Sequence, residues 1–408
     1  MIKKNINIKT KSLLLLVLFS FLLRLATVYF FADTYIENEW NILLQNLVNY
    51  KSYSYYVFDK QLIPSVYMPP MYAFFLYLIK TLTNFNQPNL LYAIFIIQIT
   101  LSTYGVYVFY QINQNFFSNK ISFINSIIFS IIPLNIYYSG QISSINLQII
   151  FSLLFLKFLL LIIKKKNPKN IILFSIISGL LILTRGEFIL IFVLILFFIF
   201  LNKKINATNL IKIFIITFLL ISPYVARNYI HFNDVIIVKS LGYNLWKGNN
   251  QLSRVEGFEN LEKVEFKNLK FKINNIKKNK YYEINRDDIF LHEAINNLKG
   301  NLYWYFKLFI KKIFSYFFVD VDSNYPKYYN FFHILPIALI SILSFPGLFF
   351  FYKTRKFENR CFELYLFLNL IIFSVFFILP RYKLVILPIQ IILAAYFIIY
   401  IMRRYVSK

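Results

Sequence analysis

The sequence has 408 residues, of which 58% are hydrophobic, 20% aromatic and only 15% charged, and so little charge excludes an ordinary soluble domain of this length. Lysine and arginine outnumber aspartate and glutamate by 44 to 18, which gives a formal net charge of +26. Much of the basic charge lies at the ends of apolar runs, a pattern that is typical of membrane orientation and argues against nucleic-acid binding.

The first predicted element is an apolar run over residues 12–31. Runs of about 18 or more apolar residues can cross a hydrocarbon core of ~30 Å as a helix, which satisfies its own backbone hydrogen bonds. No small-x-small cleavage site follows this run, so we interpret it as the first membrane helix and not as a signal peptide. Arg24 lies within it, and an arginine at this depth predicts contact with protein, water or an anion.

Ten membrane spans are predicted in all. Five clusters of lysine and arginine precede the first span or follow the fourth, sixth, eighth and tenth spans. All five clusters fall on one side of the membrane if there are ten spans, and the positive-inside rule makes that side cytoplasmic, with both termini. The predicted spans lie at about 12–31, 90–111, 120–138, 143–163, 170–184, 186–201, 207–227, 331–352, 361–379 and 383–402.

Residues 71–83 are apolar but short, and they contain Lys80. Counting them as a span would move the lysines at 164–166 to the outer side, so we predict a juxtamembrane helix that lies in the interface. Two long loops then face outward, at 32–89 and 228–330. They hold 15 of the 18 acidic residues, which predicts that any acidic chemistry occurs on the outer face.

The second long loop is predicted to contain ordered structure. Residues 251–300 are polar and charged enough to form a small folded or partly ordered unit. In the stretch 300–319, Lys307 and Lys311 are four residues apart and would share one side of a helix that also has an aromatic face. We predict a second interfacial helix there, with a full span as the alternative.

The first candidate for chemistry is the acidic segment directly after the first span, where Asp33 and Glu37 are four residues apart. A carboxylate at the membrane–water boundary is partly desolvated, and desolvation moves such a group towards the range that suits a general base. A continuing helix would put both side chains on one face. The alternative is that both are solvated loop charges.

The second candidate is the segment 64–72, which leads into the predicted interfacial helix. Pro69 and Pro70 stiffen this approach, and Pro70 suits a first helical turn, where its missing N–H is not needed. The alternative is a rigid junction between loop and helix that has no binding role.

The third candidate is a set of cations at outer helix ends. Arg185 lies between spans five and six, Arg227 ends span seven, and Arg381 and Lys383 open the last span. Short outer turns should be poor in cations, so we expect each of them to have a partner. A lipid phosphate is suitable, because arginine offers a bidentate fork to phosphate oxygens. The alternatives are an ion pair, such as Arg185 with Glu187, and snorkelling towards headgroups.

The order of these motifs along the chain resembles a known family. The motifs lie at Asp33, 67–72, 183–187, 222–229, 242–250, 286–295 and 381–388. Together, over nearly the whole chain, they resemble the bacterial GT-C glycosyltransferases that are related to protein mannosyltransferases and aminoarabinose lipid A transferases. The resemblance implies an all-α polytopic fold with a seven-span module and juxtamembrane helices, in the bacterial cytoplasmic (inner) membrane.

The resemblance also implies the chemistry, which is an inverting transfer from a polyprenyl-phosphate-sugar donor. Asp33 would be the base or the group that orients the acceptor, with Glu37 in reserve. Met68 stands where some relatives place a phosphate-binding lysine, so the donor phosphate is expected to contact the four outer cations, Arg185, Arg227, Arg381 and Lys383. The expected substrate-loop residues are Tyr67, Pro69, Pro70, Tyr72, Tyr243 and Asn244.

Three domains are expected: the catalytic module 1–227, the periplasmic loop 228–330 and a three-span bundle 331–408. The expected partners are the lipid donor and a glycan, lipid or protein acceptor, which the second loop would select. One cysteine and three distant histidines predict no zinc site, although a divalent cation could bridge the acidic segment to phosphate. Nine scattered glycines give no nucleotide-binding loop. The alternatives are a lipid-linked oligosaccharide polymerase or ligase, a flippase and a non-catalytic scaffold.

Overall fold

The fold is helical, as the sequence predicts. The computed structural model describes residues 10–36, 38–165, 167–323 and 330–406. These residues form 17 α-helices and one two-stranded hairpin. In chain order, the helices are α1 (Thr10–Phe31), α2 (Asn38–Tyr50), α3 (Pro70–Thr83), α4 (Asn89–Asn113), α5 (Asn119–Ile131), α6 (Pro133–Tyr137), α7 (Ile145–Lys164), α8 (Pro168–Thr184), α9 (Phe188–Leu201), α10 (Ala207–Phe232), α11 (Leu241–Gly248), α12 (Lys267–Asn274), α13 (Tyr282–Gly300), α14 (Leu302–Phe317), α15 (Phe331–Lys353), α16 (Phe357–Val375) and α17 (Lys383–Val406).

Six of the described helical segments are long and apolar enough to cross a membrane: α1, α4, α7, α10, α15 and Pro380–Arg404, which contains most of α17. A seventh is obtained if α5 and Pro133–Gly140, which meet at an angle of 61°, form one span. Ile132 has the extended backbone that is favoured before a proline, with ψ of 118°. This is a multi-pass membrane protein.

The predicted number of ten spans is not confirmed. The runs predicted as spans five and six form α8 and α9, which are apolar but have only 17 and 14 residues. Helix α16 carries three charged residues near its start, Glu358, Arg360 and Glu363. Helix α3 is also shorter than a span, in keeping with its prediction as a separate juxtamembrane helix.

Helices α7 and α17 lie at the centre of the bundle. In their most apolar segments 72% of the α7 residues and 67% of the α17 residues are buried, against only 17% in α1 and 22% in α10. The two peripheral helices expose large apolar side chains such as Leu15 and Phe218. Lipid tails are as apolar as these side chains, so the bundle surface is suited to a hydrocarbon environment.

Arg24 faces protein, one of the three environments that its position predicts. Its Nε donates to Oγ of Ser102 at 2.8 Å, and its Nη1 donates to Oγ of Ser20 at 2.5 Å and to the carbonyl oxygen of Ser130 at 3.2 Å. The fully buried guanidinium therefore joins α1 to α4 and α5.

The first long loop is ordered by a helix, a hairpin and a second helix. Helix α2 leads into strands β1 (Ser54–Phe58) and β2 (Gln61–Pro64), which pair antiparallel. Helix α3 then begins at Pro70, so the prediction that this proline occupies a first helical turn is confirmed. Helix α3 packs against α2, α4 and α8.

The second long loop folds around its own small core, and the predicted ordered unit in residues 251–300 is confirmed. Its buried centre is Trp246, which packs against Phe266 and Phe290 with ring centroids 5.2 and 4.8 Å apart. Helix α14 corresponds to the second predicted interfacial helix. It is 16 residues long, which is shorter than a membrane span.

Candidate functional site

The two long loops meet at a buried carboxylate. Glu283, near the start of α13, accepts hydrogen bonds from the Oγ of Ser65 at 2.9 Å and from the backbone N–H groups of Val66 at 2.6 Å and Tyr67 at 2.9 Å. Burial raises the pKa of this carboxyl, and the three donors partly oppose that shift. Helix α13 therefore fixes the segment that leads to Pro69 and α3.

The face of α13 that points to the first loop has a regular spacing. Glu283, Arg286, Asp287 and Phe290 are related by steps of three and four and share one side of the helix. Oδ1 of Asp287 accepts the backbone N–H of Tyr243 at 2.8 Å. Burial raises the pKa of the Asp287 carboxyl, against the effect of this hydrogen bond. The same face thus holds both the first loop and α11.

A glycine permits the close approach of α11 to α13. A Cβ atom at Gly242 would lie 2.1 Å from the carbonyl oxygen of Asp287, far inside van der Waals contact. At the other end of α11, a Cβ at Gly248 would lie 2.0 Å from the carbonyl oxygen of Phe376. The glycines in the 242–250 motif are therefore required by packing at both ends of this helix.

Two predicted substrate-loop residues meet in a small cleft. The rings of Tyr67 and Tyr243 are edge to face, with centroids 5.9 Å apart, and Arg286 lies against both. We name this feature the Arg286 cleft. It has a volume of about 200 Å³ and is lined by Tyr67, Tyr243, Glu283, Arg286, Asp287 and Phe290.

The other predicted substrate-loop residues lie outside this cleft. Pro69 directly precedes α3 and Pro70 begins it. Tyr72 lies in the first turn of α3 and is buried, and its hydroxyl donates to Oε1 of Gln98 at 2.8 Å. The backbone N–H of Asn244 donates to the carbonyl oxygen of Ser240 within the first turn of α11.

Asp33 is held against the segment that precedes α7. Its backbone N–H donates to the carbonyl oxygen of Gly140 at 3.0 Å, and its Oδ2 accepts the backbone N–H of Ile142 at 2.7 Å. The carboxylate is half-buried at the exit of α1. Glu37, the second predicted acid, lies outside the described residues.

The guanidinium groups of Arg185 and Arg381 both lie against the ring of Tyr382, near the first turn of α7. The guanidinium carbons lie 5.1 and 5.8 Å from the ring centroid of Tyr382. Nε of Arg185 donates to Oε1 of Gln148, in the first turn of α7, at 3.0 Å. The alternative ion pair of Arg185 with Glu187 is not formed.

Arg227 and Lys383 donate to protein oxygens. Arg227 donates to the carbonyl oxygens of Ser65 and Tyr53, both at 2.7 Å. Lys383 is buried and donates to the carbonyl oxygens of Tyr316 and Phe317 at the end of α14. Both cations thus hold backbone carbonyl oxygens of the loops.

No site role is predicted from the sequence for Glu283, Arg286 or Asp287. Their signal was the spacing of three and four residues within a polar loop, which predicts a helix face but not its partner. For metal binding, the described residues contain no group of three or more histidine, cysteine or acidic side chains arranged to hold an ion.

One segment of the chain is similar in sequence to a known protein family. Residues 67–226 match the sequence profile of the family described as dolichyl-phosphate-mannose-protein mannosyltransferase. This segment is therefore similar to a family of the GT-C glycosyltransferases. The resemblance of the motifs to this group is thereby confirmed. None of the curated proteins matches the sequence.

Solved structures support the same fold. The oligosaccharyltransferase AglB from Archaeoglobus fulgidus, in complex with an inhibitory peptide and a dolichol-phosphate, is similar with a TM-score of 0.58 and 13% identity; the match covers 98% of this chain and 52% of AglB. A complex of the same enzyme with zinc and sulfate gives 0.57 and 14%, covering 96% and 49%. The chain thus has the GT-C fold and spans about half the length of AglB.

A third solved structure is more distant. ArnT from Cupriavidus metallidurans, bound to undecaprenyl phosphate, has a TM-score of 0.41 and 10% identity, and the match covers 94% of this chain and 78% of ArnT. A score this low does not place individual residues.

Proposed function

We propose that this GT-C protein is an inverting glycosyltransferase that moves a sugar from a polyprenyl-phosphate donor to a glycan, lipid or protein acceptor. The reaction would occur at the outer face of a bacterial inner membrane, with both termini cytoplasmic. The matched family is described by a dolichyl-phosphate-mannose donor, and the similar AglB structure contains a dolichol-phosphate. Both descriptions support a lipid-phosphate donor here.

One observation carries the proposal: an acid and a cation are held at the same end of α7. Asp33 is bound through Ile142, just before this helix, and Arg185 through Gln148 in its first turn. A glycosyl transfer needs these two functions, a base for the acceptor hydroxyl and a cation for the phosphate that leaves.

The proposed reaction is a single displacement. The acceptor oxygen forms a bond to the anomeric carbon of the sugar while the bond from that carbon to the phosphate oxygen breaks. Asp33 takes the proton of the acceptor hydroxyl, and the polyprenyl phosphate leaves with the electron pair. Arg185 and Arg381 stabilise the developing negative charge. Because the acceptor attacks from the face opposite to the phosphate, the anomeric configuration inverts.

The four predicted phosphate-binding cations take two different roles in this proposal. Arg185 and Arg381 flank Tyr382 near α7 and would contact the phosphate. Arg227 and Lys383 are positioning residues, because they hold the first loop and the end of α14 through backbone carbonyls.

The test is a transfer assay on purified protein in lipid nanodiscs with a radiolabelled polyprenyl-phosphate-sugar and membrane extract as acceptor. Asp33→Asn should lower transfer about 100-fold or more, because general-base catalysis contributes about 10²–10⁴. Asp59→Asn is the matched control: Asp59 is exposed in the hairpin turn of the same loop with φ of 46°, which asparagine tolerates. Full activity of a folded Asp33→Asn variant would show that Asp33 is not the base.

Transfer of a whole lipid-linked oligosaccharide is a second candidate. It is favoured by the tight contact of α13 with residues 65–67, since a ligase would rely on the second loop. Paired assays with donors that carry one sugar or an oligosaccharide distinguish the two reactions by the donor that is consumed.

A further inference from the structure

We infer that the Arg286 cleft binds an oxyanion, a phosphate or carboxylate group that belongs to a substrate of the proposed reaction. The inference rests on the proposed function for the identity of the ligand, but the cleft itself is defined by the contacts of α13 with the first loop and α11.

Arg286 is a half-buried cation enclosed by aromatic rings. Its guanidinium carbon lies 5.9 Å from the ring centroid of Tyr67, 5.6 Å from that of Tyr243 and 5.5 Å from that of Phe290. Its Nη1 donates to the hydroxyl of Tyr56 at 2.8 Å. The rings limit the access of water to the charge. The electrostatic interaction of the guanidinium with a direct partner is therefore stronger than it would be in bulk solvent.

The guanidinium lacks an anionic partner within the described part of the chain. No carboxylate forms an ion pair with Arg286 there, and the hydrogen bond to Tyr56 is the one that its N–H groups donate. The remaining N–H donors lie next to the cleft. A fork of donors in a fixed plane is the geometry that binds phosphate and carboxylate oxygens bidentately.

The neighbouring acids bind elsewhere. Oxygens of Glu283 accept from Ser65, Val66 and Tyr67, and Oδ1 of Asp287 accepts the N–H of Tyr243. These hydrogen bonds direct both carboxylates to backbone groups of the first loop and α11. Their charges lower the affinity for an oxyanion without occupying the fork, so we expect millimolar binding of a free ion.

The size of the cleft favours a small group over a whole substrate. Its volume of about 200 Å³ includes the open space at its mouth, which leaves room for a small charged group only. The hydroxyl of Tyr56 accepts from Arg286 and keeps its own proton to donate, whereas the hydroxyl of Tyr243 already donates to Oε2 of Glu259 at 2.7 Å. The ligand is therefore the acidic group of a larger molecule, whether the phosphate of the lipid donor or an acidic group on the acceptor.

The first experiment measures binding without catalysis. Thermal unfolding of the full-length protein is followed in inorganic phosphate and in chloride at equal ionic strength. Phosphate should raise the Tm of the wild type, and Arg286→Gln should abolish this rise. Arg254→Gln, an exposed arginine of the same loop, is the matched control and should keep it. An equal phosphate effect in wild type and Arg286→Gln would overturn the inference.

The second experiment identifies the source of the oxyanion. In the transfer assay, Arg286→Gln should raise one KM by about tenfold or more, as expected for loss of a charge-assisted hydrogen bond. A higher KM for the lipid donor assigns the donor phosphate, and a higher KM for the acceptor assigns an acidic group on the acceptor. Unchanged KM values for both substrates would mean that Arg286 only packs against the aromatic rings.

Arg286→Lys keeps the inference testable if Arg286→Gln does not fold. Lysine retains the charge but loses the fork, so the phosphate effect on Tm should shrink without vanishing. Wild-type affinity in this variant would contradict bidentate binding.

Failure of the proposed function is a separate result. The wild type would then show no transfer from polyprenyl donors, while its phosphate-dependent Tm and the loss of that effect in Arg286→Gln would persist.

Discussion

Ser65 and Glu283 are 218 positions apart in the chain, and the hydroxyl of Ser65 donates to Oε1 of Glu283 at 2.9 Å. This contact joins the hairpin of the first long loop to α13 of the second. It lies between Arg227, which binds the carbonyl oxygen of Ser65, and the Arg286 cleft. The geometry of the Arg286 cleft and the attachment of the first loop therefore depend on one buried carboxylate.

Replacing Glu283 by glutamine should destabilise the protein. Both N–H groups of Val66 and Tyr67 donate to Oε2, so glutamine can keep both only as a neutral acceptor, with its NH2 group turned to Ser65. The charge that strengthens all three hydrogen bonds is lost. Hydrogen bonds to charged groups contribute about 1.5–3 kcal/mol each, and we expect the free energy of unfolding to fall by about 2 kcal/mol. Thermal unfolding in nanodiscs, followed by circular dichroism, measures the change as a lower Tm.

Glu293→Gln is the control for this prediction. Glu293 lies on the same helix and is 4.0 Å from Lys272 in an exposed ion pair, which contributes little. Its Tm should match that of the wild type. Equal Tm values for Glu283→Gln and Glu293→Gln would show that the contact with residues 65–67 does not stabilise the loops.

Replacing Gly242 by alanine should push α11 away from α13. The new Cβ would lie 2.1 Å from the backbone oxygen of Asp287, and backbone atoms cannot move aside as the end of a flexible side chain can. Overpacking of this kind costs about 1–3 kcal/mol. The Tm should fall, and the phosphate effect attributed to the Arg286 cleft should weaken because Tyr243 moves.

Gly300→Ala provides the comparison for Gly242→Ala. A Cβ at Gly300, the last residue of α13, would have no neighbour within 4 Å. This variant should be as stable as the wild type or slightly more so, because alanine has the lower conformational entropy in the unfolded chain. Similar losses of stability in both variants would refute the packing explanation.

Much of the fold could be predicted because charge and apolar length determine it locally. The prediction of α3 as a helix separate from the spans followed from the lysines at 164–166, and its first residue followed from Pro70. The number of spans could not be obtained in the same way. A helix of only 14 residues such as α9 is wholly apolar, so apolar content alone does not distinguish it from a helix that crosses the membrane.

The candidate site was only partly predictable. Asp33 was predicted from its place at a helix exit, which is a local property of the sequence, and its role stays a prediction. The partners of Glu283 and Arg286 are residues of the first loop, more than 200 positions away, and no local pattern encodes such a pairing. Lys383 illustrates the converse: its position suggested a lipid phosphate, whereas its nitrogen donates to the carbonyl oxygens at the end of α14.

Arg185→Gln should reduce transfer more than it reduces stability. The substitution removes the charge proposed to stabilise the leaving phosphate and the hydrogen bond to Gln148. Loss of one such stabilising group costs about 10²–10³ in kcat, so we expect kcat in the nanodisc assay to fall by about 100-fold. Arg360→Gln, an exposed arginine at the start of α16, should leave kcat unchanged. A kcat loss below threefold in Arg185→Gln would remove Arg185 from the proposed mechanism.

Lys312 should make the stability of the protein depend on pH. Its nitrogen is buried between three helices and donates to the carbonyl oxygens of Gly248 at 2.8 Å and Phe376 at 2.5 Å and to Oδ1 of Asn249 at 3.0 Å. Burial lowers the pKa of Lys312 to about 7, whereas a lysine in the unfolded chain has a pKa of about 10.4.

Between these two pKa values the unfolded chain binds more protons than the folded protein, so the free energy of unfolding rises with pH across this window. The contribution of Lys312 to stability is therefore greatest above about pH 10, and it is lost as the pH falls towards 7.

The Tm of the wild type minus that of Lys312→Met should increase from pH 7 to pH 10. Lys311→Met, at the exposed neighbouring position, should show no such trend against the wild type. A Tm difference between wild type and Lys312→Met that is independent of pH would mean that Lys312 keeps an ordinary pKa, with its proton held by the three oxygens.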